Sequence, residues 1–175
     1  MRSIMLGLGL VLATPANAEL VSATANGFEV RHSISLVVPA DRVFASLARI
    51  GQWWSKDHTY SGSSANLTLS LTPGGCFCER FPEGGGIEHL RVVMVKPGER
   101  VVLTGALGPL PFDAVTAVMD VRVERIAGGS RLTLNYRASG FAKGGAAELA
   151  PLVDRMLGEQ VKRLRTYAAA QGARR

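Results

Sequence analysis

The sequence predicts an α+β fold in which a curved, mainly antiparallel sheet of about six to seven strands wraps around a long C-terminal helix. Segments of alternating polar and apolar residues follow one another between residues 28 and 138, and no strand-helix-strand repeat typical of a parallel sheet occurs. A long segment with apolar residues at helical spacing follows them. Because one long helix can cover so many strands only if the sheet curves, we expect an internal cavity.

The first strand is predicted over residues 28–38, where apolar and polar side chains alternate. Asp41 can cap a helix that ends at Gly51, and we expect two short helices after this strand. Turn residues rich in Gly and Pro separate the remaining segments with strand character. These predicted strands are 67–71, 75–81, 87–95, 100–107, 115–124 and 131–138.

The closing helix is predicted over residues 147–170, with Pro151 tolerated only in its first turn. The polar Gln160 lies in the middle of its apolar stripe and must either find a partner or line a wet cavity. The stripe consists of Leu149, Leu152, Val153, Met156, Val161, Leu164 and Tyr167.

The N-terminus has the pattern of a cleaved signal peptide. Arg2 precedes an apolar run at 4–13, which is too short to span a bilayer, and a small-residue cleavage site ends at Ala18. We therefore expect export to the periplasm or secretion, with no stable membrane insertion after cleavage. The predicted organisation is a signal peptide at 1–18, a flexible lead at 19–26, one domain at 27–170 and a basic tail at 171–175.

The net charge of +6 comes largely from the C-terminus. Acidic and basic residues nearly balance elsewhere, and the basic segment lacks the interleaved aromatic residues that a nucleic-acid platform needs. We therefore expect no nucleic-acid partner, and a monomer or weak dimer. The C-terminal cations are Lys162, Arg163, Arg165, Arg174 and Arg175.

Several motifs resemble one superfamily. They are V-P-A-D-R-V-F-A-S-L-A at 38–48, W-W-S-K-D-H-T-Y-S-G at 53–62, P-G-G-C-F-C-E at 73–79, R-V-V-M-V-K-P-G-E-R at 91–100, G-S-R-L-T-L-N-Y at 129–136 and the closing helix. The chain resembles the START-like, or SRPBCC, superfamily, in its branch of heat-shock ATPase-activator homologues and polyketide cyclase-like proteins. The resemblance implies a helix-grip fold with the long helix across the mouth of a hydrophobic cavity. Activation of a cytosolic ATPase conflicts with export to a compartment without ATP.

The segment 53–60 contains both tryptophans of the chain beside a histidine and a tyrosine. Such rings suit a cavity wall, where the face contacts a ligand and the N–H or O–H group finds a partner. The candidate ligand-binding residues here are Trp53, Trp54, His58 and Tyr60. Trp53 or Trp54 could equally fill the base of the core.

Cys76 and Cys78 are the only cysteines, and their spacing places both on one face of a strand. They could be inert residues packed against the helix, with Cys78 among the cavity candidates. They could form a disulfide. They could also bind a soft metal ion together with His58, His89 or Met94, although two thiols alone match no zinc pattern.

The loop 105–112 carries apolar side chains between glycine and proline hinges, so we predict a lid over the cavity. It lies opposite a second glycine-rich hinge at 140–145. A loop packed on the core without a gating role is the alternative. The further candidate ligand-binding residues are His89, Leu110, Phe112, Met119, Tyr136, Phe141, Met156 and Gln160.

The leading functional hypothesis is an exported protein that holds a small hydrophobic molecule, aromatic or lipid-like, oriented by Tyr136, Gln160, His58 or His89. We predict no catalytic constellation, no metal site and no cofactor, because no recognised motif for these is present. One alternative is a cyclase or dehydratase that uses a cavity histidine as base and Tyr136 as donor. Another is a metal or redox module built on Cys76 and Cys78.

Overall fold

The computed structural model describes residues 17–171, which form an eight-stranded antiparallel sheet and two α-helices. The sheet curves around the long C-terminal helix, which confirms the predicted α+β, helix-grip architecture. The strands are β1 (Asn17–Thr24), β2 (Gly27–Leu36), β3 (Leu67–Leu69), β4 (Cys76–Arg80), β5 (Gly86–Lys96), β6 (Arg100–Gly105), β7 (Val115–Ile126) and β8 (Gly129–Gly140). The helices are α1 (Ala40–Leu47) and α2 (Ala146–Ala170).

The strands lie in the order β1-β2-β8-β7-β6-β5-β4-β3, and each neighbouring pair is antiparallel. The alternation predicted for β2, β7 and β8 is confirmed, since the apolar side chains at every second position of these strands are buried. Their inner faces form the core together with α2. The long central strands thus provide a rigid base, and the short β3 and β4 form one end of the sheet.

Strand β1 corrects the prediction of a flexible lead at 19–26. Residues 25 and 26 form a tight turn that folds the chain back, and Leu20 pairs with Val30 of β2. Main-chain pairing at a sheet edge needs no apolar pattern, so the sequence of this strand shows no alternation that would reveal it. The predicted signal segment lies outside the described residues up to residue 16, and so does the predicted basic tail from residue 172.

The connection from α1 to β3 differs in detail from the predicted pair of short helices. Helix α1 buries Val43, Phe44 and Leu47 against the sheet. Three single turns of 3-10 helix follow it, at Ile50–Gln52, Lys56–His58 and Ser64–Asn66. This irregular connection carries the tryptophan-rich segment over the end of the sheet.

The two halves of α2 have different surroundings. Leu157, at the middle of the helix, and Val161 and Leu164 in the C-terminal half are buried, whereas Leu152 in the N-terminal half is 54% exposed. The apolar stripe therefore continues beyond the packed core. Pro151 is the sixth helical residue and lies past the first turn, because the helix begins at Ala146. Neither described helix is both long and apolar enough to cross a membrane.

Candidate functional site

A cavity of about 560 Å³ opens beneath the N-terminal half of α2. Its other walls are the segment 54–60, strands β4 and β5, and the loop after β6. Most of the wall is apolar, and charged side chains lie among the residues that close it. The lining residues are Trp54, Asp57, His58, Thr59, Tyr60, Phe77, His89, Leu107, Gly108, Pro109, Leu110, Leu149, Leu152, Val153, Arg155, Met156 and Glu159.

Helix α2 holds the tryptophan-rich segment in place. The Arg163 guanidinium donates to the Trp53 carbonyl at 2.7 Å, and the Ser55 N–H donates to Gln160 Oε1 at 2.8 Å. The Trp54 indole N–H is satisfied by the carbonyl of His58 at 3.0 Å. Because the indole N–H is already bonded within the segment, Trp54 presents only the apolar surface of its ring to the cavity.

The loop after β6 covers the cavity as a short 3-10 helix at Leu110–Asp113 with the residues before it. The Tyr60 hydroxyl donates to the Gly108 carbonyl at 2.6 Å, which connects this loop to the segment 54–60. Below it, the Leu107 N–H donates to the Tyr136 hydroxyl at 3.1 Å. The loop is therefore anchored at both levels by tyrosine hydroxyl groups.

A β-bulge directs His89 toward the cavity. In the pairing of β4 with β5, Phe77 faces Leu90 and Cys78 faces Glu88, so that His89 is the extra residue. A bulge of this kind re-aims a side chain that regular alternation would place on the other face. His89 is 5% exposed and lines the cavity.

His89 is paired with a buried carboxylate. Its Nε2 lies 3.0 Å from Glu79 Oε2, and the other oxygen of Glu79 accepts the Ser61 N–H. The Tyr60 ring lies nearly parallel to the imidazole, with 5.9 Å between the ring centroids. Phe77 covers the imidazole from another side at 4.9 Å. The imidazole is thus fixed in position by three neighbours.

Burial and hydrogen bonding determine the charge of this pair. Burial lowers the pKa of His89, and the hydrogen bond and charge of Glu79 only partly oppose this effect. For Glu79, burial favours the neutral acid, but hydrogen bonds from Ser61, Tyr60 and His89 together outweigh it and lower its pKa. At neutral pH the carboxylate is therefore ionised and the imidazole neutral.

The tautomer of His89 follows from these charges. An ionised carboxylate accepts hydrogen bonds, so Nε2 carries the proton and Nδ1 carries a lone pair. Nδ1 is buried and has no hydrogen-bond partner among the described residues. The cavity wall thus contains a neutral imidazole, and its buried Nδ1 lone pair can accept a proton or a hydrogen bond from a donor that reaches past the neighbouring side chains.

A second histidine lies at the mouth of the cavity. His58 Nε2 is 3.4 Å from Glu159 Oε2, and both side chains are more than a third exposed. This pair crosses from the segment 54–60 to α2. It forms a polar rim, which is typical of sites that bind an apolar molecule and leave one end in water.

The structure places six of the predicted ligand-binding residues in the cavity wall. These are Trp54, His58, Tyr60, His89, Leu110 and Met156. Leu110 of the predicted apolar loop lies in the cavity wall. Phe112 of the same loop does not line the cavity and is 72% exposed. Phe141, which directly follows the end of β8, is likewise 75% exposed.

Four other predicted residues lie deeper than the cavity. Tyr136 is fully buried and its hydroxyl is occupied by Leu107, while Gln160 is 1% exposed and bonded to Ser55. Trp53 and Met119 line a separate void of about 40 Å³ within the core. The position of Trp53 agrees with the alternative reading as a core residue. Of the two possibilities stated for Gln160, a hydrogen-bond partner or a wet cavity, the structure shows the partner, Ser55.

The prediction for Cys78 as a cavity residue is corrected. Cys76 and Cys78 form a disulfide on the outer face of β4, with their Cα atoms 5.4 Å apart. The side chains between and after them, Phe77 and Glu79, are the buried ones. Of the three readings of this motif, the disulfide is the one that the structure contains.

Glu79, the partner of His89, is not among the residues predicted from the sequence. A signal was available, since Phe77 and Glu79 share one face of a strand, and a carboxylate on a face that carries a large apolar residue needs a buried partner. The partner could not be identified from alternation, because the bulge at His89 shifts the register of β5.

Comparison with known proteins gives relatives by structure alone. No protein-family model matches the chain, and no curated protein matches it. Many solved structures do match. An uncharacterized protein from Rhizobium leguminosarum has a TM-score of 0.59 at 17% identity, and the match covers 90% of this chain and 99% of that one.

Two further structural neighbours come from biosynthetic systems. The di-domain ARO/CYC protein StfQ from the steffimycin biosynthetic pathway has a TM-score of 0.58 at 12% identity, covering 85% of this chain and 53% of StfQ. DynU16, encoded in the dynemicin biosynthetic locus, has a TM-score of 0.55 at 19% identity, covering 79% of this chain and 46% of DynU16. At these identities the similarity shows a shared fold, in agreement with the helix-grip architecture.

Proposed function

We propose that this protein binds a small, mostly apolar molecule in the cavity beneath α2. The observation that carries the proposal is the cavity itself, with about 560 Å³ of space and a predominantly apolar wall. Cavities that hold small organic ligands have volumes of roughly 300–1,000 Å³ and combine an apolar wall with a few placed polar groups. The wall formed by Trp54, Phe77 and Met156 meets the first condition, and His89 meets the second.

The ligand is oriented by His89. Tyr136 and Gln160, which we had also expected to orient it, are occupied by Leu107 and Ser55. A neutral imidazole with an unpartnered lone pair selects a ligand whose O–H or N–H group reaches the buried Nδ1. An aromatic molecule with a hydroxyl substituent combines this donor with the apolar surface that the rest of the wall accepts.

We also propose that binding takes place outside the cytoplasm. The segment 1–18 has the pattern of a cleaved export signal, and the oxidised cysteine pair is compatible with an oxidising compartment. Expression of the full chain in a Gram-negative host, followed by intact mass analysis of the periplasmic fraction, tests this. A mass that begins at residue 19 supports export, whereas a full-length cytoplasmic product contradicts it.

The binding proposal is tested with an environment-sensitive naphthalene dye and with native mass spectrometry of the purified protein. Met156→Trp places a bulky ring in the cavity and is expected to weaken dye binding by about tenfold or more. Val93→Trp is the matched control, because Val93 is half-exposed on β5 and lies outside the cavity wall. Equal affinities for both variants would contradict the proposal.

A second candidate function is proton-transfer catalysis by His89, and the Glu79–His89 pair favours it. A neutral histidine held by a buried carboxylate is suited to act as a general base. The fold shared with the ARO/CYC protein StfQ is compatible with such chemistry. Tyr60 is stacked on His89, but its hydroxyl already donates to the Gly108 carbonyl, so it does not take the donor role that we had assigned to Tyr136.

Proton transfer can be measured without knowing the natural substrate. Acetophenone in deuterated buffer exchanges its methyl protons slowly, and NMR follows the loss of the methyl signal. Catalysis predicts faster exchange with the wild type and the uncatalysed rate with His89→Phe, while the dye still binds to the variant. If both proteins leave the rate unchanged although the dye binds, the site is a binding site only.

A further inference from the structure

The disulfide on strand β4 lies outside the site described above but on the same strand. Cys76 and Cys78 are both half-buried on the outer face, while Phe77 and Glu79 project from the inner face toward the cavity. The two faces of this five-residue strand therefore carry two different chemistries. A change at one face can reach the other through the backbone of one short strand.

Structural stabilisation is a weak explanation for this bond. The stability that a disulfide contributes by restricting the unfolded chain grows with the length of the loop it closes. Cys76 and Cys78 are separated by a single residue, so the bond closes a very short loop and restricts the unfolded chain little. Half-exposed disulfides are moreover the ones that exchange readily with external thiols.

An ion pair lies beside the two sulfur atoms. Cys76 pairs across the ladder with Arg91, and Cys78 pairs with Glu88. The Arg91 guanidinium donates to both oxygens of the Glu88 carboxylate, and a carboxylate oxygen of Glu88 lies within 4.8 Å of both sulfur atoms. Both charged side chains are exposed. The disulfide therefore lies on a polar, solvent-facing part of the strand, where an external thiol can reach it.

Strand β4 is short, and its pairing is irregular. All five of its residues pair with β5, but the register shifts between Phe77 and Cys78, and its other neighbour β3 has three residues. The disulfide spans Phe77, whose side chain, like that of Trp54, lines both the cavity and the core void. Opening the disulfide gives this part of the strand additional backbone freedom.

We propose that Cys76 and Cys78 form a thiol–disulfide exchange site that controls the cavity wall. A dithiol partner transfers two electrons and two protons to the Cys76–Cys78 bond, which becomes two thiols, and the partner leaves as a disulfide. In the reduced protein Phe77 and Glu79 lose their fixed positions, and the cavity binds its ligand more weakly. The effect on binding rests on the proposed function, whereas the exchange reaction and the change in the wall do not.

The exchange reaction is tested on the full chain with dithiothreitol, followed by alkylation and mass analysis. We expect reduction under native conditions to add two alkyl groups. Cys76→Ser/Cys78→Ser carries no thiol and is the control, which is expected to take up no alkyl group. A disulfide that resists excess dithiothreitol until the protein unfolds would overturn the proposal.

The change in the cavity wall is measured by NMR of the histidine ring protons. Reduction is expected to shift the signals of His89, which contacts Phe77 and Glu79, and to leave those of His32 unchanged as an internal control. In the same samples, dye affinity is expected to fall about tenfold, the effect of losing one well-packed aromatic contact. Cys76→Ser/Cys78→Ser should reproduce both changes without reductant.

The outcomes separate the two proposals. Unshifted His89 signals, or equal dye affinity in the oxidised and reduced proteins, would overturn control of the wall by the disulfide. If the oxidised protein fails to bind any dye while the His89 signals still shift on reduction, the proposed binding function is wrong, and the exchange site stands.

Discussion

Two histidines of this protein are buried beside a carboxylate at the same distance, and their surroundings give them different roles. His89 Nε2 lies 3.0 Å from Glu79, and His32 Nε2 lies 3.0 Å from Asp154. Glu79 is fully buried and lies on a neighbouring strand, whereas the Asp154 side chain is 24% exposed on α2. Burial of the carboxylate is thus the first difference between the two pairs.

The second difference is what the imidazole faces. His89 lies in a bulge and lines a cavity, while His32 continues the regular inward alternation of β2 and packs against Gly158 of α2. The His32 pair joins a strand to the helix that covers it. The same two chemical groups therefore form a cavity wall in one place and a packing contact in the other, and the local backbone decides between them.

The largest expected difference between the pairs is in stability. Glu79→Ala leaves His89 and the Ser61 N–H without their partner in the interior, and is expected to cost about 3 kcal/mol of unfolding free energy. Asp154→Ala removes a partly exposed group and is expected to cost about 1 kcal/mol or less. Urea unfolding measures both, with the exposed Glu124→Ala as control. Equal losses for the first two variants would remove the distinction between the pairs.

The pH dependence is expected to show both histidines. Burial lowers the pKa of His32 and of His89 from the ordinary value of 6.5, although Asp154 and Glu79 respectively oppose the shift. The unfolded chain then binds protons first, so the stability from each histidine is complete above about pH 6.5 and is lost as the pH falls below it.

Urea unfolding at pH 7.5 and 5.5 measures this loss, which is at most about 1.4 kcal/mol per histidine for one pH unit. His32→Leu is expected to remove the contribution of His32 and to retain that of His89. A variant with the same pH dependence as the wild type would show that His32 contributes nothing. Glu79 titrates below this range, because its pKa is lowered from 4.5.

A smaller effect is expected at the contact between His32 and α2. A Cβ atom at residue 158 would lie 3.0 Å from His32 Cε1, which is closer than ordinary packing allows. Alanine in a helix is otherwise favoured over glycine by about 1 kcal/mol. Gly158→Ala is therefore expected to destabilise the wild type slightly and to stabilise a His32→Ala background by about 1 kcal/mol. Thermal unfolding of the four proteins of this cycle gives the coupling, and simple additivity would contradict the contact.

The smallest effect is expected at the exposed pair of the cavity mouth. Glu159→Gln removes the charge opposite His58, and both groups are open to solvent, so the unfolding free energy should change by less than about 0.5 kcal/mol. Urea unfolding of this variant and of Glu79→Ala, measured side by side, compares the two losses of unfolding free energy. A loss comparable to that of Glu79→Ala would mean that solvent exposure does not determine how much each histidine-carboxylate pair contributes to the unfolding free energy.

The amino-acid sequence alone determined the regular elements. Strands β2, β7 and β8 and helix α2 were predicted because each carries its apolar period over eight or more residues, and that period depends only on local backbone geometry. The presence of aromatic and histidine side chains at the cavity was predicted in part, since Trp54, Tyr60 and His89 lie in its wall.

Only the tertiary structure decided how these groups meet. The bulge that turns His89 toward Glu79 depends on how β5 pairs with β4, and the choice of partner for Gln160 depends on where α2 crosses the segment 54–60. The same holds for the outward direction of Phe112 and Phe141 and for the pairing of β1, none of which has a local period to reveal it. Periodicity fixes which face of an element is apolar, whereas register and crossing geometry arise between elements distant in the chain.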